Sequence, residues 1–365
     1  MIRTIAIVGG FLGAGKTTLL LTAARRLAAR GYRVGLITND QGADLVDTLL
    51  VEQADIPVTE VAGGCFCCRF PDLLVGLQRL IDAADPHIIL AEPVGSCTDL
   101  IATVLRPLVS FYGEHYRLAP LTVLHDATRD LDAFAPDVRY LHDRQLAEAE
   151  LILLNKCDLL PNDAAPPLAQ LATDYPQAHL LATSAKSGVG VDGWLDIVLG
   201  QESRNPEALL IDYERYAQAE AALGWLNARG LVRADGAFGA AAWTEDLLTA
   251  LAQACENAQA SIAHIKALVT TPDATLKASI AQAASPIMWD LVNDHAQTTS
   301  LEFTLNVRVN APPELLEQVV HQTMERVKPQ PSARYYFTHF ECFSPLPPQP
   351  THRIETPVAP QMRLY

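Results

Sequence analysis

Short, almost uniformly apolar runs recur along the first half of the chain, at Thr4–Val8, Val34–Thr38, Ile88–Glu92, Leu121–His125, Leu151–Leu154 and His179–Thr183. Runs of this kind predict strands covered on both faces. Segments of helical period separate them, the first being Leu19–Ala29, ended by Gly31. The alternation predicts an α/β domain with a doubly wound sheet over residues 1–200, with ligands at the carboxyl ends of its strands. The polar stretch Gly200–Pro206 reads as a linker, and beyond it the pattern changes. Ala219–Leu231 holds Trp225 in an apolar run, Thr244–Gln259 reads as a helix, and Ile262–Thr270 and Leu301–Val309 read as strands. Pro313 opens a helix over Glu314–Val327. These elements predict a smaller α+β domain over residues 207–343, with two β–α units on one sheet. From Ser344 the prolines at 345, 347, 348 and 350 predict an extended or disordered tail over 344–365.

Composition narrows the partners. The chain has 365 residues, 49% of them hydrophobic, and a formal net charge of −15. Such acidity argues against nucleic acid and anionic membranes as partners and suits cations such as metal ions. No apolar run is long enough to span a bilayer, and Met1 leads into the first strand without a leader pattern, so the cytoplasm is the expected location. Three of the seven cysteines crowd into Cys65, Cys67 and Cys68, which favours metal or redox chemistry over a disulfide framework.

The strongest chemical signal lies just past the first strand. Gly10 to Thr17 fits G-x-x-x-x-G-K-[ST] within Gly9–Thr18, between a strand and a helix. Gly10, Gly13, Ala14 and Gly15 turn backbone N–H groups toward phosphate oxygens, with Thr18 at the start of the helix. Lys16 reaches the β- and γ-phosphates, and the Thr17 hydroxyl is a Mg²⁺ ligand.

Later strand ends carry matching signals. Asn155-Lys156-Cys157-Asp158 spells N-K-x-D. The Asp158 carboxylate can accept both guanine N1–H and the exocyclic amine, Lys156 can lie along the base, and Asn155 can tie this loop to the phosphate loop. Ser184-Ala185-Lys186 ends the next strand, where the Ala185 N–H can donate to guanine O6. In Glu92-Pro93-Val94-Gly95 the carboxylate can hold Mg²⁺ and the Gly95 N–H can approach a γ-phosphate, so that hydrolysis releases the loop. Asn39 to Asp44, with Asp47, stands where a first switch is expected, and Asp40 can position the attacking water or reach the metal; the same stretch also reads as a solvated acidic turn.

Gly63-Gly64-Cys65-Phe66-Cys67-Cys68 forms a second centre, able to hold a soft or borderline ion such as Zn²⁺. Because successive side chains diverge, Cys67 and Cys68 are expected not to share one ion easily, and two sulfurs plus a His or carboxylate from elsewhere are expected. Cys97, on a loop able to approach the cluster, reads as a buried thiol, with a spare ligand as the alternative. His264 and His339, in apolar runs, read as packed or hydrogen-bonded side chains.

With the motifs at Gly9–Thr18, Gly64–Cys68, Glu92–Gly95 and Asn155–Asp158 in this order, the chain resembles the CobW-like family of metal-associated P-loop GTPases, relatives of the GTPases of urease and hydrogenase maturation. The resemblance implies binding and slow hydrolysis of GTP with Mg²⁺. It also implies Zn²⁺ or Co²⁺ at Cys65, Cys67 and Cys68, coupling of the two sites through the switches, and delivery to a client metalloenzyme or a cobalamin-pathway protein. It leaves a homodimer open. Three departures stand out. The first switch reads Asn39-Asp40-Gln41-Gly42, where the family often shows N-E-F-G. A histidine-rich tract is missing, and so is an early lysine in the P-loop, so a partner's cation is expected for fast turnover. An ATP-dependent kinase or ligase, a GTP-timed interaction switch without metal delivery, and a thiol redox sensor are the rival readings.

Overall fold

The computed structural model describes residues 2–39, 46, 56–283 and 285–357. Asp40, Asp44 and Asp47 of the expected first switch lie outside the described residues.

In the first half, β1 (Arg3–Gly10), β2 (Val34–Asn39), β3 (Val58–Val61), β4 (Ile88–Ala91), β5 (Tyr116–Leu118), β6 (Thr122–Asp126), β7 (Leu151–Asn155) and β8 (His179–Ala182) form one sheet. Its order is β3-β2-β4-β1-β6-β7-β8, with β5 alongside β1, and every pair is parallel. The strand order reverses beside β1, which places the P-loop at a topological switch point, where open α/β sheets bind ligands. Helices α1 (Lys16–Ala29), α2 (Phe70–Ala84), α3 (Arg106–Tyr112), α4 (Pro136–Ala147), α5 (Ala165–Asp174) and α6 (Val191–Gly200) connect the strands. Separate apolar clusters, one around Ile7, Phe66 and Val123 and the other around Val8, Leu36 and Trp194, pack the two faces, which is why the strands carry so few polar residues.

Two short strands escaped the apolar pattern. β3 reads Val-Thr-Glu-Val and β5 reads Tyr-Arg-Leu, half-buried sequences too short to stand out from turns. The expected linker also behaves differently. Glu150, 2% exposed, accepts from Ser203 Oγ and from Arg204 N, both at 2.6 Å. The chain then forms α7 (Tyr213–Ala221), whose Tyr216 and Ala219 join the first domain's core. The crossing to the second sheet therefore comes just before Gly224 rather than at 200–206.

The second sheet is antiparallel. It contains β9 (Gly224–Gly239), β10 (Ser261–Thr270), β11 (Thr275–Ile280), β12 (Met288–Leu291), β13 (Gln297–Asn310) and β14 (Arg334–Phe343), in the order β12-β11-β10-β13-β9-β14. Helices α8 (Ala240–Asn257) and α9 (Pro313–Arg326) cover one face, packing Leu247, Leu251 and Val320 onto Ile265, Leu305 and Val307. β9-α8-β10 and β13-α9-β14 are the two β–α units, each split by a strand of the other.

The proline-rich tail is extended through residue 357 and held against the first domain. Ile354 N donates to Ala102 O at 2.9 Å and Thr351 N to Cys67 O at 2.8 Å. Arg106, 0% exposed, donates to the carbonyls of Ile354 and Glu355 from one side and of Pro206 from the other.

Candidate functional site: a P-loop cavity beside a thiol cluster

The turn after β1 has the backbone its glycines permit. Gly13 and Gly15 take φ of 77° and 97°, left-handed values that side chains resist. Lys16 Nζ donates to Gly10 O at 2.8 Å and lies 3.9 Å from Glu92 Oε1. The Thr17 hydroxyl donates to Glu92 Oε2 at 2.9 Å. An alcohol and a carboxylate thus converge beside a lysine, the oxygen-donor chemistry that suits Mg²⁺ with a phosphate. Gly95 is buried close behind, where an added Cβ would stand 2.7 Å from Leu12. The loop from Gly95 to Ile101 is latched from α4 and α7. Gln145 Nε2 donates to Gly95 O and Cys97 O, Ser96 Oγ to Glu220 and Thr98 Oγ1 to Glu148.

Asn155 joins the later loops to the P-loop. Its Nδ2 donates to Ala14 O at 2.8 Å, and its Oδ1 accepts from Ala185 N at 2.9 Å. That N–H, offered by the spacing to guanine O6, is engaged within the protein. Lys156, held left-handed at φ 64°, places Nζ 2.7 Å from Asp126 Oδ2 rather than along a base plane. Burial alone would raise the Asp126 pKa, but Lys156 and Arg129 outweigh it and hold the carboxyl below its ordinary range. Asp158, Ser184 and Ala185 border the cavity together with Lys16, Thr17, Thr18, Glu92 and Gly95.

Arg129 carried no sequence signal. Its side chain, 2% exposed, donates to Leu12 O at 2.7 Å and to Ala281 O at 2.6 Å, stapling the P-loop to the second sheet. Asn39 was part of the switch motif, but its role is visible only in three dimensions. Its Nδ2 donates to Val61 O and Gly64 O, both at 2.7 Å. Its Oδ1 accepts from Phe66 N at 3.0 Å and Val94 N at 3.3 Å. One buried amide therefore ties the cysteine loop to the Glu92–Gly95 loop.

In the cysteine loop the sulfurs of Cys65, Cys67 and Cys68 lie within 4.8 Å of one another. The expected divergence of Cys67 and Cys68 is corrected here. Residues 65–69 close a helical turn, with Arg69 N donating to Cys65 O at 2.9 Å, and the adjacent sulfurs stand 3.7 Å apart. Cys65 and Cys67 are 3% and 1% exposed. The thiols cannot all ionise together. Hydrogen bonds from Cys67, Cys68 and Cys97 hold Cys65 well below the ordinary thiol range, while its charge pushes Cys67 well up and Cys68 to about 12. Burial and then Cys65 push Cys97 up as well, so Cys97 belongs to the cluster's surroundings rather than to a separate part of the core. The donor set is soft and fits a thiophilic divalent ion, whose binding would expel the remaining protons. The tail covers this loop. Gln349 N donates to Cys68 Sγ at 3.1 Å, and the His352 ring packs on Phe70 at 5.2 Å.

A P-loop at the switch point of a parallel sheet, tied by an asparagine to an N-K-x-D loop, defines a domain of the P-loop GTPase fold. Residues 4–179 match the family model of the CobW/HypB/UreG nucleotide-binding domain. The likeness to that family is that of this domain, residues 4–179. The zinc chaperone CobW of Pseudomonas aeruginosa is 31% identical over 215 residues, 50% of this chain and 56% of that protein. The hydrogenase maturation factor HypB of Azotobacter chroococcum is 28% identical over 214 residues, 58% of this chain and 64% of that protein. Both alignments thus span less than two thirds of the relative's own length. Among solved structures, the Zn(II)-bound YjiA GTPase of Escherichia coli aligns over 88% of this chain and 99% of its own, at 15% identity and a TM-score of 0.36.

Proposed function

We propose that the protein is a GTP-hydrolysing metallochaperone. It binds GTP with Mg²⁺, couples the nucleotide state to a Zn²⁺- or Co²⁺-type ion at Cys65, Cys67 and Cys68, and passes the ion to a client metalloenzyme or a protein of cobalamin metabolism in the cytoplasm. Gly10, Gly13, Ala14, Gly15, Lys16 and Thr18 cradle the phosphates, and Thr17 and Glu92 hold Mg²⁺. Asp158, Asn155, Lys156, Ser184 and Ala185 form the guanine end, where recognition requires Lys156 to exchange Asp126 for the base. Lys16, Glu92 and Asp40 serve hydrolysis to GDP and phosphate. The zinc chaperone among the relatives supports the metal reading, as does the convergence of three thiols.

The observation that carries coupling is the Asn39 amide. A γ-phosphate that draws Gly95 inward pulls on Val94 N, and the same oxygen holds Phe66 N inside the cysteine loop. The test is an anaerobic Co²⁺ titration of the reduced protein with a slowly hydrolysed GTP analogue, with GDP and without nucleotide. A thiolate charge-transfer band whose midpoint moves between nucleotide states supports the coupling. An identical midpoint in every state overturns it. The 3.3 Å approach of the Cys65 and Cys68 sulfurs favours thiol–disulfide cycling as a second reading. Rapid loss of two thiols under mild oxidant, with no Co²⁺ band, would select it.

A further inference from the structure

The P-loop cavity has two walls, and one of them belongs to the antiparallel sheet. His264 and Lys266 of β10 and Lys277 of β11 border the same cavity as Lys16 and Asp158. The register explains how they reach it. Lys266 pairs with Ser279 and Leu268 with Lys277, so both lysines stand on one face of the β10–β11 ladder. The opposite face carries Ile265, Ala267, Leu276 and Ala278 into the apolar core under the helices. The polar face is pressed on the P-loop. A Cβ at Gly13 would stand 2.9 Å from Ala263 O and 3.4 Å from His264 Cβ.

Two features of this wall point to a ligand. His264 is 6% exposed, and its Nδ1 has no hydrogen-bond partner among the described residues. A buried ring nitrogen at a cavity wall is satisfied when something polar enters the cavity. The second feature is charge. In a chain of net charge −15, Lys16, Lys156, Lys266 and Lys277 all line one cavity. Lys277 shares its charge with Asp290 at 3.0 Å, and Lys266 stands near enough to Lys156 and His264 to repel both. Concentrated cations in a partly enclosed space favour a polyanion.

We propose that the second sheet forms half of the nucleotide site, with Lys266 and Lys277 contacting the phosphates of a bound guanine nucleotide and His264 Nδ1 hydrogen-bonding to it. The inference rests on the guanine-nucleotide reading above. It brings the second sheet into direct contact with the bound nucleotide. Because Lys266 stands between the P-loop side, at His264, and the N-K-x-D side, at Lys156, its partner is a part of the nucleotide common to GDP and GTP.

Equilibrium titration of the full chain with fluorescent GDP and a fluorescent, slowly hydrolysed GTP analogue tests this. Lys266→Ala is expected to weaken both nucleotides alike, by about tenfold or more, as for loss of a charge-assisted hydrogen bond, and Lys266→Arg to restore most of the binding. Wild-type affinity for both nucleotides in a Lys266→Ala protein that melts normally overturns the inference. If Lys266→Ala melts early, Lys266→Gln and Lys277→Gln, which keep the packing of the stems, carry the same two outcomes. Failure of the wild-type chain to bind either nucleotide would instead overturn the guanine-nucleotide reading, and the two failures are separate results.

Discussion

Glu148 caps α4 inside the protein, 5% exposed, accepting from Thr98 Oγ1 at 3.1 Å and Ile101 N at 3.3 Å. Burial, and then the nearby Asp99 charge, pushes its pKa from the ordinary 4.5 to about 8. Between those values the folded protein keeps a proton that the unfolded chain has released. The stability contributed by that proton is complete below pH 4.5 and is lost as pH rises through about 8. Glu148→Gln keeps the shape and removes the ionisation. It is expected to melt at a higher temperature than the wild type above pH 8, with the advantage shrinking toward pH 4.5. Parallel melting-versus-pH curves for the two proteins would contradict this. The environment of Glu148 could not be read locally. Thr98 and Asp99 lie far away in the chain, and nothing in Ala147-Glu148-Ala149 marks a buried acid.

The functional elements are strand ends, and the chain brings them together by a few buried amides. Asn39 is the clearest case, with four hydrogen bonds to two loops. Asn39→Ala leaves buried backbone groups without partners, at a cost of about 1–3 kcal/mol each before relaxation. It is expected to lower the urea midpoint and to remove the difference in Co²⁺ affinity between GTP-analogue and GDP states while Co²⁺ still binds. A retained difference would mean that the loops communicate by another route. At this scale much of the site was legible. Gly10–Thr17, Asn155–Asp158 and Cys65–Cys68 are contiguous motifs, and the apolar strands before the first two show where those emerge. Cys67 and Cys68, expected to diverge as successive side chains, converge because residues 65–69 close a helical turn that leads into α2.

Across the whole molecule, the second sheet and the tail both return to the first domain. The sheet closes the P-loop cavity, with Arg129 as the staple. The tail crosses the cysteine loop, where Thr351 N and Thr351 Oγ1 donate to the carbonyls of Cys67 and Cys68, and Arg353 pairs with buried Asp99 at 2.7 Å. The tail therefore shields Cys68. A chain ending at Ser344 is expected to react faster with a disulfide reagent at Cys68 than the full chain, measured anaerobically without metal. Equal rates, with thermal melting unchanged, would show that the tail does not restrict access.

The sequence by itself determined where β1, β2, β4, β6, β7 and β8 fall, which turn carries the P-loop motif, which strand end carries N-K-x-D and which loop carries thiols. Those properties depend on neighbours in the chain, because periodicity and backbone freedom are local. The second sheet was only partly visible, since β11, β12 and β14 mix polar and apolar residues and find their partners through pairing. Tertiary structure alone decided that His264, expected to be packed or hydrogen-bonded, borders the cavity, that Lys266 and Lys277 wall it, that the Cys97 loop comes beside the thiols and that the tail covers them. Each of these contacts joins segments far apart in sequence, and no local pattern encodes which distant segment the packing brings alongside.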